Sequence, residues 1–289
     1  MTSLNIEDLP APLAQSRSRI PALPPNTGLL LRSLSDDKLS LSQLAGLLER
    51  FPPIAARLIG LANSSWSAPA SPITSLEMAC SRMGLDVIRS VSIGLAVGTP
   101  FKPDRCPGFD SDRFWAASIL TADAASWLSA NLESWSGMDT HSARTAGLLH
   151  NLGLLWLADR MPEQTGQALM TIRQAPEQNL NAALIAQCGI DYPNAGGFLS
   201  EHWHLPELLV TAVRQHANPE YHGSHWAAAR LIGVAESMAS RAWQGQEWDA
   251  SPVLPITAAE QNTVFARVLA QIDEARAMVR SLFPAGQQQ

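Results

Sequence analysis

The chain has 289 residues, of which 46% are hydrophobic, so it can bury a large core and form one sizeable domain or two coupled smaller ones. Its 20 basic and 26 acidic side chains give a formal charge of −6, which argues against a protein that binds nucleic acid or an anionic membrane through bulk charge. The three cysteines are far apart and form no C-x-x-C pair, which favours reduced thiols over a disulfide framework or a zinc knuckle.

The N-terminal region predicts neither export nor a regular element. It is acidic and lacks a basic segment followed by an apolar run, and no part of the chain reaches the roughly 18 to 20 uninterrupted apolar residues that a membrane span needs. We therefore expect a cytoplasmic protein. Residues 1–25 contain five prolines, which predict an extended lead-in, and we assign residues 1–19 to an extended N-terminal tail.

The first half of the chain predicts several short helices. Between residues 26 and 97 the apolar positions recur at helical rather than alternating spacing. Capping-box patterns, in which a hydroxyl and a later polar side chain satisfy free backbone N–H groups, mark two helix starts: Ser40 with Gln43, and Thr74 with Glu77. Pro52 and Pro53 are expected to break one helix from the next.

Residues 99–110 hold three prolines and a glycine and predict an irregular connection between two subdomains. Beyond it the helical patterns run over 111–131, 140–158, 162–174, 178–188, 192–203, 206–217 and 224–242. A third capping box, Thr257 with Glu260, opens a last helix that ends near Phe283. Its single apolar stripe predicts docking onto its own domain rather than dimerisation. No strand-like alternation competes, so the sequence predicts an all-α protein.

Eight short motifs occur in an order that is similar to one known family. They are 20–25 (IPALPP), 58–65 (LIGLANSS), 73–79 (ITSLEMA), 83–86 (MGLD), 114–118 (FWAAS), 146–153 (AGLLHNLG), 203–206 (WHLP) and 214–216 (RQH). Over about residues 20 to 240 the chain thus resembles the HDOD domain, a bacterial signalling relative of the HD and HD-GYP phosphohydrolases.

The resemblance implies an HD-domain-like helical fold with two helical lobes. The lobes would be an N-terminal helical lobe and a degenerate HD-like bundle. The expected divisions are the tail 1–19, the HDOD domain 20–245 with lobes 20–98 and 111–245, and a linker with a C-terminal docking helix over 246–289.

Three positions depart from the pattern of the metal-binding relatives. A neutral imidazole and an adjacent carboxylate can together hold a divalent cation that polarises water for attack on phosphorus. Where the His-Asp doublet would fall, this chain has Asn151, which keeps the shape of aspartate without its charge. Ala117 and Tyr192 stand where such relatives have histidines.

The resemblance therefore implies relic metal-site positions rather than a working centre. These are His150, Asn151, His216 and Glu236, which offer too few ligands for a two-metal site, so we expect no catalytic residue, no bound metal and no cofactor. The alternative for His150 is that it survives as a metal ligand. Otherwise it is a core histidine that donates one ring N–H to a nearby carbonyl, with Asn151 in the same network.

Histidine and tryptophan are concentrated beyond residue 110. Five histidines lie between His202 and His225, but their spacing does not favour a metal site. Most of the nine tryptophans are expected in the core, and Trp66, in a loop with polar neighbours, is the candidate contact for a partner protein.

The resulting prediction is a non-catalytic HDOD module of signal transduction that acts through protein or ligand binding. The alternative is a divergent metal-dependent phosphohydrolase acting on nucleotides or cyclic dinucleotides. A nucleic-acid-associated regulator ranks last because of the acidic balance. The expected partners are unidentified signalling proteins, with neither nucleic acid nor membrane, and the sequence predicts no particular oligomeric state.

Overall fold

A computed structural model describes residues 9–10, 13, 27–34, 39–175 and 177–282. All regular secondary structure in these ranges is helical, which confirms the predicted all-α class. The helices are α1 (Thr27–Leu34), α2 (Leu41–Leu48), α3 (Pro52–Ala62), α4 (Leu76–Met83), α5 (Leu85–Gly98), a 3₁₀ turn (Pro103–Arg105), α6 (Ser111–Ser129), α7 (Glu133–Ser136), α8 (Thr140–Leu149), α9 (Leu152–Arg160), α10 (Pro162–Gln174), α11 (Leu180–Cys188), α12 (Tyr192–His202), α13 (Glu207–Gln215), α14 (Trp226–Trp243) and α15 (Ala258–Leu282).

The start of α2 is confirmed, whereas the start of α4 is corrected. Ser40 and Gln43 form the predicted reciprocal hydrogen bonds. At α4 the cap is Ser75 rather than Thr74, since the Ser75 hydroxyl accepts from the backbone N–H of Met78. The shift has a local cause. Two residues before the cap, the side chain of Asn63 binds both backbone polar groups of Ile73, so the helix starts only beyond that clamp.

In the second lobe α6 is the central helix. It has buried residues on all sides and packs against α8, α14 and α15. The two lobes meet where α5 lies across α6 and α8, and the ring of Trp115 fills the space left by Gly98. A Cβ added at Gly98 would lie 2.6 Å from that ring, so a side chain there would displace the indole.

One predicted helix is wrong. The segment 140–158 is not continuous but divides into α8 and α9 at His150 and Asn151. The backbone of Asn151, with φ −100° and ψ 9°, leaves the helical region, and the chain restarts with Leu154 donating to the Asn151 carbonyl. The other helices predicted after residue 110 are confirmed, with ends that differ by at most two residues.

The C-terminal helix α15 begins with the predicted capping box between Thr257 and Glu260. Its apolar face packs on α6 and α14 and also reaches α3 in the first lobe. Two arginines of the same helix lie over indole rings. The distance from Cζ to the ring centroid is 4.0 Å for Arg267 over Trp127 and 4.2 Å for Arg276 over Trp243. The helix therefore joins both lobes.

The predicted tail over residues 1–19 lies mostly outside the described residues. At the described positions the N–H of Leu13 donates to the carbonyl of Pro10, and Leu9 and Leu13 are both buried. The extended tail stays a prediction. None of the helices in the described ranges combines the length and apolar character that a membrane crossing demands.

Candidate functional site

The four side chains of the candidate site come from four different helices. His150 follows the last residue of α8, Tyr192 begins α12, His216 follows α13, and Glu236 lies within α14. The sequence predicted three of these positions as relic metal ligands, and the structure brings those three together, with Tyr192 between His216 and Glu236. Only side chains that meet in this way can act as one site.

Two glycines let the helices approach closely enough. A Cβ added to Gly153 would lie 2.0 Å from the carbonyl oxygen of Tyr192, and one added to Gly233 would lie 2.3 Å from that of His216. Both distances are far inside van der Waals contact. The absence of a side chain at these positions thus sets the spacing of the site.

The two histidines have the same local geometry. Each follows a helix end and places its Nδ1 against a carbonyl three residues earlier, at 2.6 Å for His150 with Gly147 and 2.7 Å for His216 with Val213. A carbonyl can only accept, so Nδ1 carries the proton and Nε2 holds a free lone pair in the neutral ring. The rings stand nearly perpendicular, with centroids 5.5 Å apart. The ring N–H bond of His150 is the one that the sequence predicted.

Burial keeps His150 uncharged. It lowers the pKa of this imidazole to about 4, and neighbouring His216 acts in the same direction, while Glu236 and the hydrogen bond to Gly147 oppose the shift. His150 is therefore neutral near pH 7.

Tyr192 lies between the second histidine and the carboxylate. Its hydroxyl donates to Oε1 of Glu236 at 2.9 Å. The hydroxyl oxygen of Tyr192 is also 3.3 Å from Nε2 of His216. The distance from that nitrogen to Oε2 of Glu236 is 3.8 Å. Burial, and then the adjacent negative charge of Glu236, raise the pKa of Tyr192 well above its usual value of 10. The phenol is therefore a protonated donor.

Asn151 belongs to a different hydrogen-bond network. Its Oδ1 lies 3.0 Å from the hydroxyl of Ser118, and its Nδ2 donates to the carbonyl of Phe114 at 3.4 Å, both on α6. The expectation that Asn151 would share the network of His150 is thus wrong. The physical reason is the turn at Asn151, after which its amide faces α6.

These residues do not fit a two-metal centre. Ala117 carries no donor atom, the amide of Asn151 is bonded to α6, and a neutral phenol lies against His216 and Glu236. Within the ranges that the structure covers, no three His, Cys, Asp or Glu side chains converge as metal ligands. The arrangement is a buried hydrogen-bonded cluster rather than a preformed cation site.

The remaining candidates lie elsewhere. Of the five histidines between 202 and 225, His216 reaches the cluster, whereas His202 stacks on Phe198 and His222 lies against Trp226. Trp66 is half-buried and packs against the core, so its role as a partner contact stays a prediction. The sequence identified Tyr192 only as a missing ligand. Its bond to Glu236 joins residues 44 positions apart, which no local pattern shows.

The sequence matches the HDOD domain family over residues 20–219. An uncharacterized protein of Treponema pallidum (strain Nichols) is 22% identical over 216 residues, which are 73% of this chain and 40% of that protein. The chain thus spans less than half the length of this curated relative.

Three solved structures share the fold. A candidate signal transduction protein from Marinobacter aquaeolei VT8 is 25% identical with a TM-score of 0.78, and the match covers 91% of this chain and 59% of that one. An HDOD domain protein of unknown function from Geobacter sulfurreducens is 20% identical with a TM-score of 0.67, over 91% and 93% of the two chains. A candidate phosphohydrolase from Shewanella amazonensis SB2B is 21% identical with a TM-score of 0.65, over 95% and 99%. The last two, at these identities, show the helical fold alone.

Proposed function

Because the chain belongs to the HDOD domain family, we propose that it is a non-catalytic signal-transduction module that acts by binding a protein or a ligand. The observation that carries this proposal is the position of Asn151. An uncharged amide replaces the expected carboxylate, and both of its polar atoms are bonded to α6. The designation of the Marinobacter neighbour as a candidate signal transduction protein favours the same class of role.

The proposed mechanism uses the two lobes. A partner that binds one arrangement of the lobes more tightly than another would shift the population between them. The contacts that would resist or follow such a shift are Trp115 against Gly98 and the side chain of Arg144, which reaches Ser90 of α5. We propose the lobe boundaries 20–98 and 111–245 within an HDOD unit of 20–245.

We further propose that the module works in the cytoplasm with signalling proteins as partners. The three buried cysteines carry no disulfide, which suits a reducing compartment. Neither nucleic acid nor a membrane surface is proposed as a partner, since the formal charge is −6.

The alternative is a divergent metal-dependent phosphohydrolase acting on nucleotides or cyclic dinucleotides. One observation favours it, namely that His150, His216 and Glu236 do lie together. The discriminating assay measures release of product from nucleotides and cyclic dinucleotides with manganese, magnesium, cobalt or zinc. We expect wild type and the His150→Gln variant to release equal amounts of product with every substrate and metal. Hydrolysis that the variant loses while it remains folded would establish the enzyme instead.

A genetic experiment tests the binding role directly. In a host strain from which the gene has been deleted, the defect caused by the deletion should be reversed by the wild-type gene and by one that encodes a folded His150→Gln variant. The reason is that binding does not need that imidazole for chemistry. The proposed contact Trp66 is tested in the same strain, with Trp66→Ala against the exposed control Trp226→Ala. Loss of function in the Trp66→Ala variant alone supports Trp66 as a partner contact. Equal function of the two variants contradicts that role.

A further inference from the structure

The phenol of Tyr192 lies between two of the candidate ligands, His216 and Glu236. Its oxygen is within hydrogen-bond distance of the Glu236 carboxylate and 3.3 Å from Nε2 of His216. We propose that Tyr192 is the residue that excludes a divalent transition-metal ion from this cluster, and that it does so by taking up part of the space such an ion would need. The inference rests on the proposed function in treating the natural cluster as metal-free.

The imidazoles of His150 and His216 share one feature with metal-binding histidines. Histidines that bind metals usually donate their second ring N–H to a carbonyl or carboxylate, which fixes the tautomer and directs the lone pair. His150 and His216 both do so through Nδ1. Two imidazoles and one carboxylate form a ligand set that suits zinc, cobalt and related ions. What is missing is space and a further ligand.

Distances explain why the phenol and an ion exclude each other. Metal bonds to imidazole nitrogen and carboxylate oxygen are about 2.0 to 2.2 Å long. The phenol oxygen lies 3.3 Å from Nε2 of His216 and 2.9 Å from Oε1 of Glu236, so it takes up part of the space beside both groups that an ion bound to them would need. The ring cannot readily swing away. It is buried, and the adjoining backbone of Tyr192 is packed against Gly153 with no room for even a Cβ between them.

The hydrogen bond also competes for the carboxylate. The one proton of the phenol is donated to Oε1 of Glu236, so that oxygen is already satisfied. Replacing the phenol with imidazole reverses both effects, because histidine is shorter than tyrosine and offers a lone pair. Tyr192→His would then supply the third imidazole, and the Asn151 and Ala117 departures would still separate this single site from a two-metal centre.

The test measures cobalt binding to the full chain by visible absorption and by equilibrium dialysis. We expect wild type to bind no cobalt that depends on His216. Tyr192→His should bind about one cobalt ion per chain, with an affinity at least roughly tenfold higher than any cobalt binding by wild type. Adding His216→Gln to Tyr192→His should abolish that binding. Tyr192→Phe, which opens space without adding a ligand, should fall between wild type and Tyr192→His.

The outcomes separate this inference from the proposed function. Circular dichroism first establishes that each variant is folded. A folded Tyr192→His protein that binds no more cobalt than wild type overturns the role of Tyr192 and leaves the non-catalytic proposal intact. Stoichiometric cobalt in wild type that His216→Gln removes overturns both. If Tyr192→His does not fold, Tyr192→Phe decides, and affinity equal to wild type in that variant contradicts the inference.

Discussion

The hydroxyl of Ser118 lies 3.0 Å from Oδ1 of Asn151, and this contact joins the turn between α8 and α9 to the central helix α6. The amide nitrogen of the same residue faces the carbonyl of Phe114. An amide satisfies both neighbours because it has a donor and an acceptor, whereas a carboxylate has only acceptors. Asn151, which replaces the aspartate of the His-Asp doublet, therefore satisfies surroundings that an aspartate would not.

Restoring the doublet should for this reason destabilise the protein. In Asn151→Asp a buried negative charge would face the Phe114 carbonyl without its former donor, and we expect a loss of about 1 to 3 kcal/mol of unfolding free energy at pH 7.5. Burial would raise the pKa of the new carboxyl above its unfolded value, so the deficit should shrink as the pH falls and the group takes up a proton. Urea denaturation at pH 7.5 and pH 5 measures both effects.

The control is Asn131→Asp, at an exposed position, which should change stability by less than about 0.5 kcal/mol. Equal stability of Asn151→Asp and wild type at pH 7.5 would contradict the burial argument.

The helices were predictable from the sequence because periodicity and caps are local. Pro162 and the Thr257–Glu260 box mark helix starts that the structure reproduces. The break at His150 and Asn151 was not predictable in the same way, since the apolar face of α8 continues into α9 and no proline interrupts it. At this break the side chain of Asn151 bonds to α6, a tertiary contact that no local pattern shows.

The site was predictable only in part, and for a related reason. The family resemblance identified His150, His216 and Glu236, which the fold does bring together. The hydroxyl of Tyr192 bonds to a helix 44 residues later in the chain, so its role follows from packing rather than from spacing.

The buried His150 imidazole should make stability depend on pH. Its folded pKa is about 4 against about 6.5 when unfolded, so the unfolded chain takes up the proton first as the pH falls. The stability associated with the neutral ring is fully present above pH 6.5 and is lost as the pH falls through 4. The difference in pKa corresponds to about 3 kcal/mol at most.

We expect His150→Gln to remove this component. The unfolding free energies of the variant and wild type, measured in urea between pH 7.5 and 4, should converge as the pH falls. The exposed His222→Gln variant serves as the control and should run parallel to wild type. A His150→Gln curve that also stays parallel to wild type would show that His150 does not titrate as inferred.

The close approach of α9 and α12 at Gly153 should be intolerant of any side chain. A Cβ there would lie 2.0 Å from the carbonyl oxygen of Tyr192, and backbone cannot move aside as a flexible side chain can. We expect Gly153→Ala to cost about 2 to 4 kcal/mol or to prevent folding. Gly60→Ala, in α3 with no atom within 4 Å, should instead be neutral or stabilising by up to about 1 kcal/mol. Thermal unfolding of both variants decides, and similar melting temperatures would refute the packing argument.

The buried ion pair between Arg144 and Asp123 should hold α8 to α6 and, through Ser90, to the first lobe. Burial raises the pKa of Asp123, and the adjacent Arg144 guanidinium opposes that shift. Removing one partner leaves the other charge buried, so Arg144→Met and Asp123→Leu should each cost about 3 to 5 kcal/mol. The double variant removes both charges and should lose much less than the sum. Urea denaturation of the four proteins gives the coupling energy. Additive losses would mean that the two side chains stabilise the fold independently.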